Sequence, residues 1–262
     1  MSTITSRRHP IARRFREVAR GDDSLALIDG WHLLHDAAAA AMAFDVVAVG
    51  APPERQNDLT LLSRLEAEGV NVVRVSASVL NALSPVRTPT GIVALVHRRR
   101  GDVASVTAGA RPLAAVAVDI QDPGNAGAII RAAEAGGATG AISAGTTADP
   151  WSWKAVRAAM GSTFRLPLHQ DRDTVRVCQD LRARGLHIVA TAMRDGTAMH
   201  AVDLCRPTAL LFGSEGRGLD SEILKAADTL ITIPMKAPVE SLNVAVAAGV
   251  LIYEARRQRG HG

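Results

Sequence analysis

Three segments of this 262-residue chain combine polar side chains with short apolar stretches in ways that suit chemistry. The first, residues 118–133, runs from an apolar strand through a Pro-Gly turn into a helix that carries Asn125, Gly127 and Arg131. We expect Asn125 to cap this helix, with Gly127 leaving its first turn bare enough for a ligand. Arg131 stands among isoleucines and alanines, where a buried guanidinium needs an anionic or dipolar partner. This favours either a functional arginine or a salt bridge, made with helix neighbours or with a second subunit.

The second segment, Leu210–Asp220, is an apolar strand that leads into three glycines, Gly213, Gly216 and Gly218. Glycines allow the main chain to approach a ligand closely, although a plain glycine-rich turn has the same composition. The order G-x-x-G-x-G differs from the dinucleotide fingerprint, and no Lys-Ser/Thr pair follows to form a phosphate-binding loop. A dehydrogenase or a kinase is therefore disfavoured.

The third segment, residues 231–247, begins with the strand Ile231–Ile233 and passes through a loop to Ser241 and Asn243. Either of these two side chains can cap the apolar helix that we expect from Leu242 onward. The start of such a helix must be buried against something polar, but a capped core helix is an equally valid interpretation of this segment alone.

The elements that position these segments alternate between short apolar strands and helices from Leu113 to the end of the chain. Such alternation predicts an α/β fold with a mainly parallel sheet covered on both faces, and ligands bind beyond the carboxyl ends of such strands. Residues 1–97 predict a smaller α/β domain, and residues 98–112 a linker. The three arginines of this linker, residues 98–100, indicate a solvated loop or an RNA contact.

The amino-acid composition narrows the class of protein further. The chain is 47% apolar, has no apolar run long enough to span a membrane and has only Cys178 and Cys205, so we expect a cytoplasmic protein without a disulfide scaffold. Its sequence pI is about 9.7 and only three of its basic residues are lysine. Codon bias or phosphate binding can produce that arginine excess. Six arginines within the first twenty residues predict a local positive patch.

Together the three segments resemble the SpoU, or TrmH-like, branch of the SPOUT RNA methyltransferases. The shared motifs are N-x-G-x-x-x-R-x-A, F-G-S-E-G-x-G-L, and I-P-M followed by E-S-L-N-V-A, and the similarity covers residues 113–262. It implies a trefoil-knotted methyltransferase domain. The first domain is similar, through Ser6-x-x-His9-Pro10 and Leu27–Gly30, to the ribosomal-protein-like RNA-binding domain often fused ahead of it.

The resemblance implies S-adenosylmethionine as cofactor, methylation of a ribose 2′-hydroxyl, and no metal. The implied cofactor residues are Thr191, Ala192, Gly213, Ile233, Met235 and Leu242. The implied catalytic residues are Arg131, Asn125, Glu215, Ser241 and Asn243. Arg131 matches the arginine often proposed as the base, but a guanidinium keeps its proton in proteins. We therefore expect it to bind a phosphate or to stabilise the developing alkoxide.

The resemblance also implies a homodimer with active sites completed across the interface. Ribosomal RNA is the favoured substrate because a separate N-terminal domain is present, and transfer RNA stays open. The alternative is a non-catalytic RNA-binding or ribosome-assembly protein on the same fold, which a cofactor-binding titration would distinguish.

Overall fold

The structure, a computed structural model, describes residues 3–21 and 23–260. The first half contains α1 (Pro10–Ala19), β1 (Leu25–Asp29), α2 (Trp31–Ala39), β2 (Phe44–Val49), α3 (Gln56–Ala67), β3 (Val72–Arg74), α4 (Ala77–Leu83), β4 (Ile92–His97), α5 (Val103–Val106), β5 (Leu113–Val118) and α6 (Pro123–Ala135). The second contains β6 (Gly140–Ala144), α7 (Trp153–Ala159), α8 (Ser162–Arg165), β7 (Leu168–Asp171), α9 (Thr174–Ala183), β8 (His187–Thr191), β9 (Thr197–Ala198), β10 (Thr208–Phe212), α10 (Ser221–Ala226), β11 (Thr229–Thr232) and α11 (Val244–Gln258). No helix in the described part of the chain is long and apolar enough to cross a membrane.

The chain forms two compact units. The first comprises residues 1–99 with residues 151–164, and the second comprises residues 100–150 with residues 165–262. Residues 151–164, which the sequence assigned to the second domain, group with the first unit. Trp153 packs against the core of that unit and the Arg99 guanidinium donates to the Phe164 carbonyl at 3.1 Å, which accounts for the grouping.

The first unit is built on a four-stranded sheet in the order β1-β4-β2-β3, in which only β2 and β3 pair parallel. Helix α1 buries Ala12, Phe15 and Val18, spaced three residues apart, in the core of this unit. Such spacing turns the arginines of the helix toward solvent. The helix therefore presents the positive patch that the sequence predicted.

The first two arginines of the expected linker, residues 98–112, have hydrogen-bond partners in the first unit. Arg98 Nε donates to the Leu25 carbonyl at 2.7 Å, and Arg99 donates to the carbonyls of Ala41 and Phe164. A capping box between Asp102 and Ser105 then starts the short helix α5. Arg98 and Arg99 thus bind backbone oxygens of the first unit and do not form a free solvated loop, while an RNA contact stays a prediction.

The second unit contains a seven-stranded sheet in the order β7-β6-β5-β10-β8-β11-β9, and every neighbouring pair is parallel. All residues of β5 and β10 are buried, as expected for strands covered on both faces. The predicted α/β fold with a mainly parallel sheet is confirmed. The trefoil knot stays a prediction.

Two helix starts in this unit decide where polar side chains point. Asp122, not Asn125, caps α6, and its Oδ1 accepts from the Asn125 amide at 2.8 Å. The prediction for Asn125 was wrong because Pro123 takes the first helical position, which it favours, and so makes the residue before it the cap. Of the two candidates for α11, Asn243 is the cap: its Oδ1 accepts from Ala245 and Val246.

Candidate active site

A cavity of about 420 Å³ lies in the second unit, where β10, β8 and β11 end side by side. Because these neighbouring strands run parallel, their carboxyl ends meet at one edge of the sheet, the usual place for ligands in such folds. All six residues expected to hold the cofactor line this cavity: Thr191, Ala192, Gly213, Ile233, Met235 and Leu242.

The cavity walls are largely apolar, and the sequence did not single out several of the residues that form them. Leu219, Leu224, Ile231 and Leu251 all contribute. Leu219 belongs to the F-G-S-E-G-x-G-L motif and was available as a signal, whereas Leu251 lies inside α11 and resembles any core leucine. An apolar cleft of this size with a few polar groups at its edge is typical of small-molecule sites, which span roughly 300–1,000 Å³.

The donor set of this cavity suits an adenine nucleoside. The backbone amides of Met235 and Leu242, both in the lining, have no hydrogen-bond partner within residues 3–21 and 23–260. Main-chain groups of this kind can satisfy the polar edge of a base while the leucines and isoleucine cover its faces. The residues present therefore fit S-adenosylmethionine.

Gly213 is needed for the fold of the loop that borders the cavity. A Cβ at this position would come within 2.3 Å of the Gly218 carbonyl carbon and within 2.4 Å of the Leu219 amide nitrogen. These are backbone atoms and cannot rotate away. By contrast, a Cβ on Gly216 would meet nothing within 4 Å. Gly213 thus allows the close approach of two parts of one loop, and its contact with a ligand stays a prediction.

Beside the cavity, three predicted catalytic residues from different segments form one hydrogen-bond network. Asn125 Nδ2 donates to Glu215 Oε1 at 2.7 Å, and Asn243 Nδ2 donates to the same oxygen at 2.6 Å. Asn243 Nδ2 also lies 3.1 Å from Asn125 Oδ1. Asn125 is half-buried, while Glu215 and Asn243 are exposed, so the network borders solvent.

The orientation of this network is fixed by the start of α11. Because Asn243 Oδ1 accepts from two backbone amides of the helix, its Nδ2 must face Glu215 and Asn125. Both amide donors converge on Oε1 of Glu215, and no described residue donates to Oε2. One carboxylate oxygen is therefore held in place while the other is available to a hydroxyl group of a substrate.

The two remaining catalytic candidates lie apart from the network. Ser241 is exposed and lines the cavity together with Glu215. Arg131 is exposed on α6, does not line the cavity, and has no hydrogen-bond or ion-pair partner among the residues the structure describes. The salt bridge to helix neighbours that the sequence left open is thus not formed.

Comparison with known proteins gives one consistent result. A family model described as the SpoU rRNA Methylase family matches residues 112–253. An uncharacterized tRNA/rRNA methyltransferase of Synechocystis is 34% identical over 263 residues, covering 99% of this chain and 95% of that protein. The 23S rRNA (guanosine(2553)-2'-O)-methyltransferase RlmP of Bacillus subtilis is 31% identical over 230 residues, covering 88% of each chain.

A solved structure of similar shape extends the match to three dimensions. The AdoMet-bound rRNA methyltransferase from Sinorhizobium meliloti has a TM-score of 0.87 at 29% identity, covering 98% of this chain and 97% of that one. The family model spans more than half of the chain, and the relatives align along nearly all of it. This chain belongs to the SpoU rRNA methylase family.

Proposed function

We propose that this chain transfers the methyl group of S-adenosylmethionine to a ribose 2′-hydroxyl of RNA, and that the RNA is ribosomal. One observation carries the proposal: the Asn125–Glu215–Asn243 network lies beside a cavity lined by all six residues expected to hold the cofactor. Glu215 belongs to both, so a hydroxyl bound by the network lies next to the cavity.

S-adenosylmethionine, when bound, supplies a methyl group on a sulfonium that a ribose oxygen can attack in line. Glu215 then orients the hydroxyl through its available oxygen and takes up the hydroxyl proton there, and the two asparagines hold that carboxylate in position. Leu219 and Leu251 exclude water from the cavity. Positioning of this kind lowers reaction barriers by about 7–11 kcal/mol in well-oriented model reactions. The chain therefore needs few other groups.

Arg131 supplies a positive charge for the negatively charged groups of the reaction. Its guanidinium stays protonated, so it binds a phosphate next to the target ribose or stabilises the alkoxide as it forms. Because Arg131 points to solvent from α6 and does not line the cavity, we propose that it serves the site of a second copy of the chain.

The surface of α11 supports a homodimer. Val246 and Tyr253 are 52% and 51% exposed and lie seven residues apart, on the same side of the helix, and Leu242 just before it is 37% exposed. Apolar side chains at such spacing are typical of helix faces that pack against a partner. Helix α11 also packs against α6, which carries Arg131.

Mixing two inactive variants tests the shared site. If Arg131 acts on the partner's Glu215, mixed dimers of Arg131→Ala and Glu215→Gln contain one intact site each. Since half of randomly exchanged dimers are mixed, activity should return to about one quarter of the wild-type value. A mixture that stays inactive after subunit exchange would place both residues in the same chain's site.

We propose that residues 1–97 form an RNA-binding domain, that residues 98–112 join it to the next domain, and that residues 113–262 form a knotted methyltransferase domain. The arginines exposed on α1 support RNA binding. Affinity for RNA should then fall steeply with salt, because each neutralised phosphate releases counterions. We also propose a cytoplasmic location, where the RNA substrate is found.

Mapping ribose methylation tests the function itself. One nucleotide of 23S or 16S ribosomal RNA should lose its 2′-O-methyl group in cells without the gene and regain it when the gene is restored. Loss confined to transfer RNA would overturn the choice of substrate. Unchanged methylation together with no S-adenosylmethionine binding by the purified protein would favour a non-catalytic RNA-binding protein.

A further inference from the structure

The first unit contains a second cavity that the methyl-transfer site does not use. Its volume is about 810 Å³, larger than that of the cavity in the second unit. It is formed by the start of α2, the loop after β2, the loop of residues 85–91, and α7. The side chains that matter here are Trp31, Trp153, Arg55, Arg87 and Arg157.

Three guanidinium groups line this cavity without partners. Arg55, Arg87 and Arg157 are all exposed, and none has a hydrogen bond or ion pair within the described ranges, 3–21 and 23–260. Most other arginines of this unit have a side-chain hydrogen bond or an ion pair, as Arg14 has with Asp45. Unpaired arginines gathered around one cavity form a site for an anion, and their planar forks match phosphate oxygens.

Three acids also line the cavity: Asp58 is buried, Asp29 is half-buried and Glu54 is exposed, and the first two are held by neighbours other than the three arginines. Asp58 is 5% exposed and its Oδ1 lies 2.7 Å from His35 Nε2. Asp29 accepts from Ser84, and burial raises the pKa of its carboxyl, although hydrogen bonds from Ser84 and Thr90 and the charge of Arg157 oppose that rise. Both carboxylates thus serve internal contacts.

The start of α2 adds further donors. The cap residue of this helix is Gly30, whose φ is 102°, and no side chain caps the first amides, although residues 30–33 all line the cavity. Helix α3, whose cap residue is Arg55, also has no side-chain cap. Uncapped amides at a helix start favour a phosphate, so the start of α2 strengthens the anion site that the arginines form, whereas the first turn of α3 carries Asp58.

The cavity also offers an aromatic surface. Two of the three tryptophans of the chain, Trp31 and Trp153, line it, and both are half-buried. Lys154 Nζ lies 5.6 Å from the centroid of the Trp153 ring, so one face of that ring is already occupied. Trp31 has no such neighbour among the described residues and is the better surface for a stacked base.

We propose that this cavity binds one unstacked nucleotide of the RNA substrate, with its phosphate held by Arg55, Arg87 and Arg157 and its base stacked on Trp31. Single-stranded RNA is commonly recognised by this combination of stacking and phosphate contacts. The proposal rests on the proposed function for its choice of RNA, and a free mononucleotide offers the same chemistry.

Tryptophan fluorescence of the full-length protein tests the proposal. A short single-stranded oligoadenylate should quench the wild-type emission. Anisotropy of a dye-labelled oligoadenylate reports binding without Trp31, and by this measure Trp31→Ala should weaken the affinity about tenfold while Trp31→Phe retains most of it. Arg87→Ala should weaken the affinity for the oligonucleotide. It should also lower the slope of log affinity against log salt concentration by about one, because one phosphate contact is lost. Arg64→Ala, on α3 outside the cavity, is the matched control because Arg64 pairs with Glu68 at 3.6 Å.

Three outcomes decide the question. Weaker RNA binding in the Trp31→Ala and Arg87→Ala variants, with a higher KM for RNA and an unchanged kcat, supports the site. Equal affinity in all variants overturns it. Adenosine 5′-monophosphate binding as tightly as the oligonucleotide overturns the assignment to RNA and leaves a mononucleotide site.

The same preparations separate this inference from the proposed function. S-adenosylmethionine binding and methylation of ribosomal RNA are measured alongside the fluorescence. Methylation without cavity-dependent RNA binding refutes only the inference. Cavity-dependent RNA binding without cofactor binding refutes only the methyltransferase function. Equal thermal midpoints confirm that the exposed arginine variants are folded.

Discussion

Asn243 both caps α11 and orients Glu215, and the variant Asn243→Asp separates these two roles. Asparagine and aspartate are about equally good helix caps, so Oδ1 of the new side chain can still accept from Ala245 and Val246. A carboxylate cannot donate, however. The hydrogen bonds from Nδ2 to Glu215 at 2.6 Å and to Asn125 at 3.1 Å are therefore lost.

The size of the effect follows from two contributions. A hydrogen bond to a charged group contributes about 1.5–3 kcal/mol, with the lower end fitting this exposed network. Two carboxylates about 4 Å apart repel by about 1 kcal/mol in bulk water. If positioning of Glu215 matters for methyl transfer, the barrier rises by about 2–3 kcal/mol, which lowers kcat about 30- to 150-fold.

Single-turnover methylation of ribosomal RNA measures this change, with S-adenosylmethionine binding and thermal unfolding as parallel readouts. Asn243→Asp should unfold close to the wild-type temperature, because the helix dipole favours the new charge and offsets part of the repulsion. Asn243→Ala loses the cap, worth about 1 kcal/mol, and should unfold about 2–4 °C lower.

The double variant Asn243→Asp with Glu215→Gln is the matched control. It restores a donor and an acceptor between the two positions but moves the negative charge from residue 215 to residue 243. We expect it to stay as inactive as Glu215→Gln alone. A kcat of wild-type size in Asn243→Asp would refute the positioning role of this network.

Three further predictions concern other parts of the second unit. Arg131→Ala should abolish methylation while cofactor binding and thermal stability stay unchanged, since its side chain is exposed and unpaired among the described residues; unchanged turnover would contradict its assignment. Gly213→Ala should abolish cofactor binding in a calorimetric titration, because its Cβ would meet backbone at 2.3 Å, whereas Gly216→Ala should bind normally. Hydrogen bonds from Arg257 lower the pKa of Glu254 from 4.5 to about 2, so Glu254 stabilises the fold above pH 4.5 and loses this contribution as the pH falls toward 2. Urea denaturation should show that the free energy of unfolding falls less steeply between pH 4.5 and 2 in Glu254→Gln than in the wild type. An equal fall in both proteins would exclude this role of Glu254.

Local sequence was sufficient for much of the second unit. The first of the short apolar strands predicted from Leu113 onward is β5, Leu113–Val118, which is apolar throughout because both of its faces are covered. The motifs around Gly213 and Asn243 indicated the SpoU family, which the family model and the relatives confirm. The enzyme class and the cofactor follow from that family.

Local sequence was a poorer guide where two polar side chains could each cap the same helix. Asp122 and Asn125 are both good caps, and only the position of Pro123 in the helix decides between them. The arginines at 98 and 99 gave no signal of their carbonyl partners, because Leu25 and Phe164 are distant in sequence. Helix α5 was missed because four residues carry no periodicity.

The sequence by itself determined most of the strands, the glycine loop and the types of the polar residues, since these depend on neighbours along the chain. Only the tertiary structure decided that β10, β8 and β11 lie side by side, which makes one cavity from residues near 191, 213 and 233. It likewise brought Asn125 within hydrogen-bond distance of Glu215, 90 residues away. The order of strands in a sheet is set by packing and crossover connections, which no local pattern records.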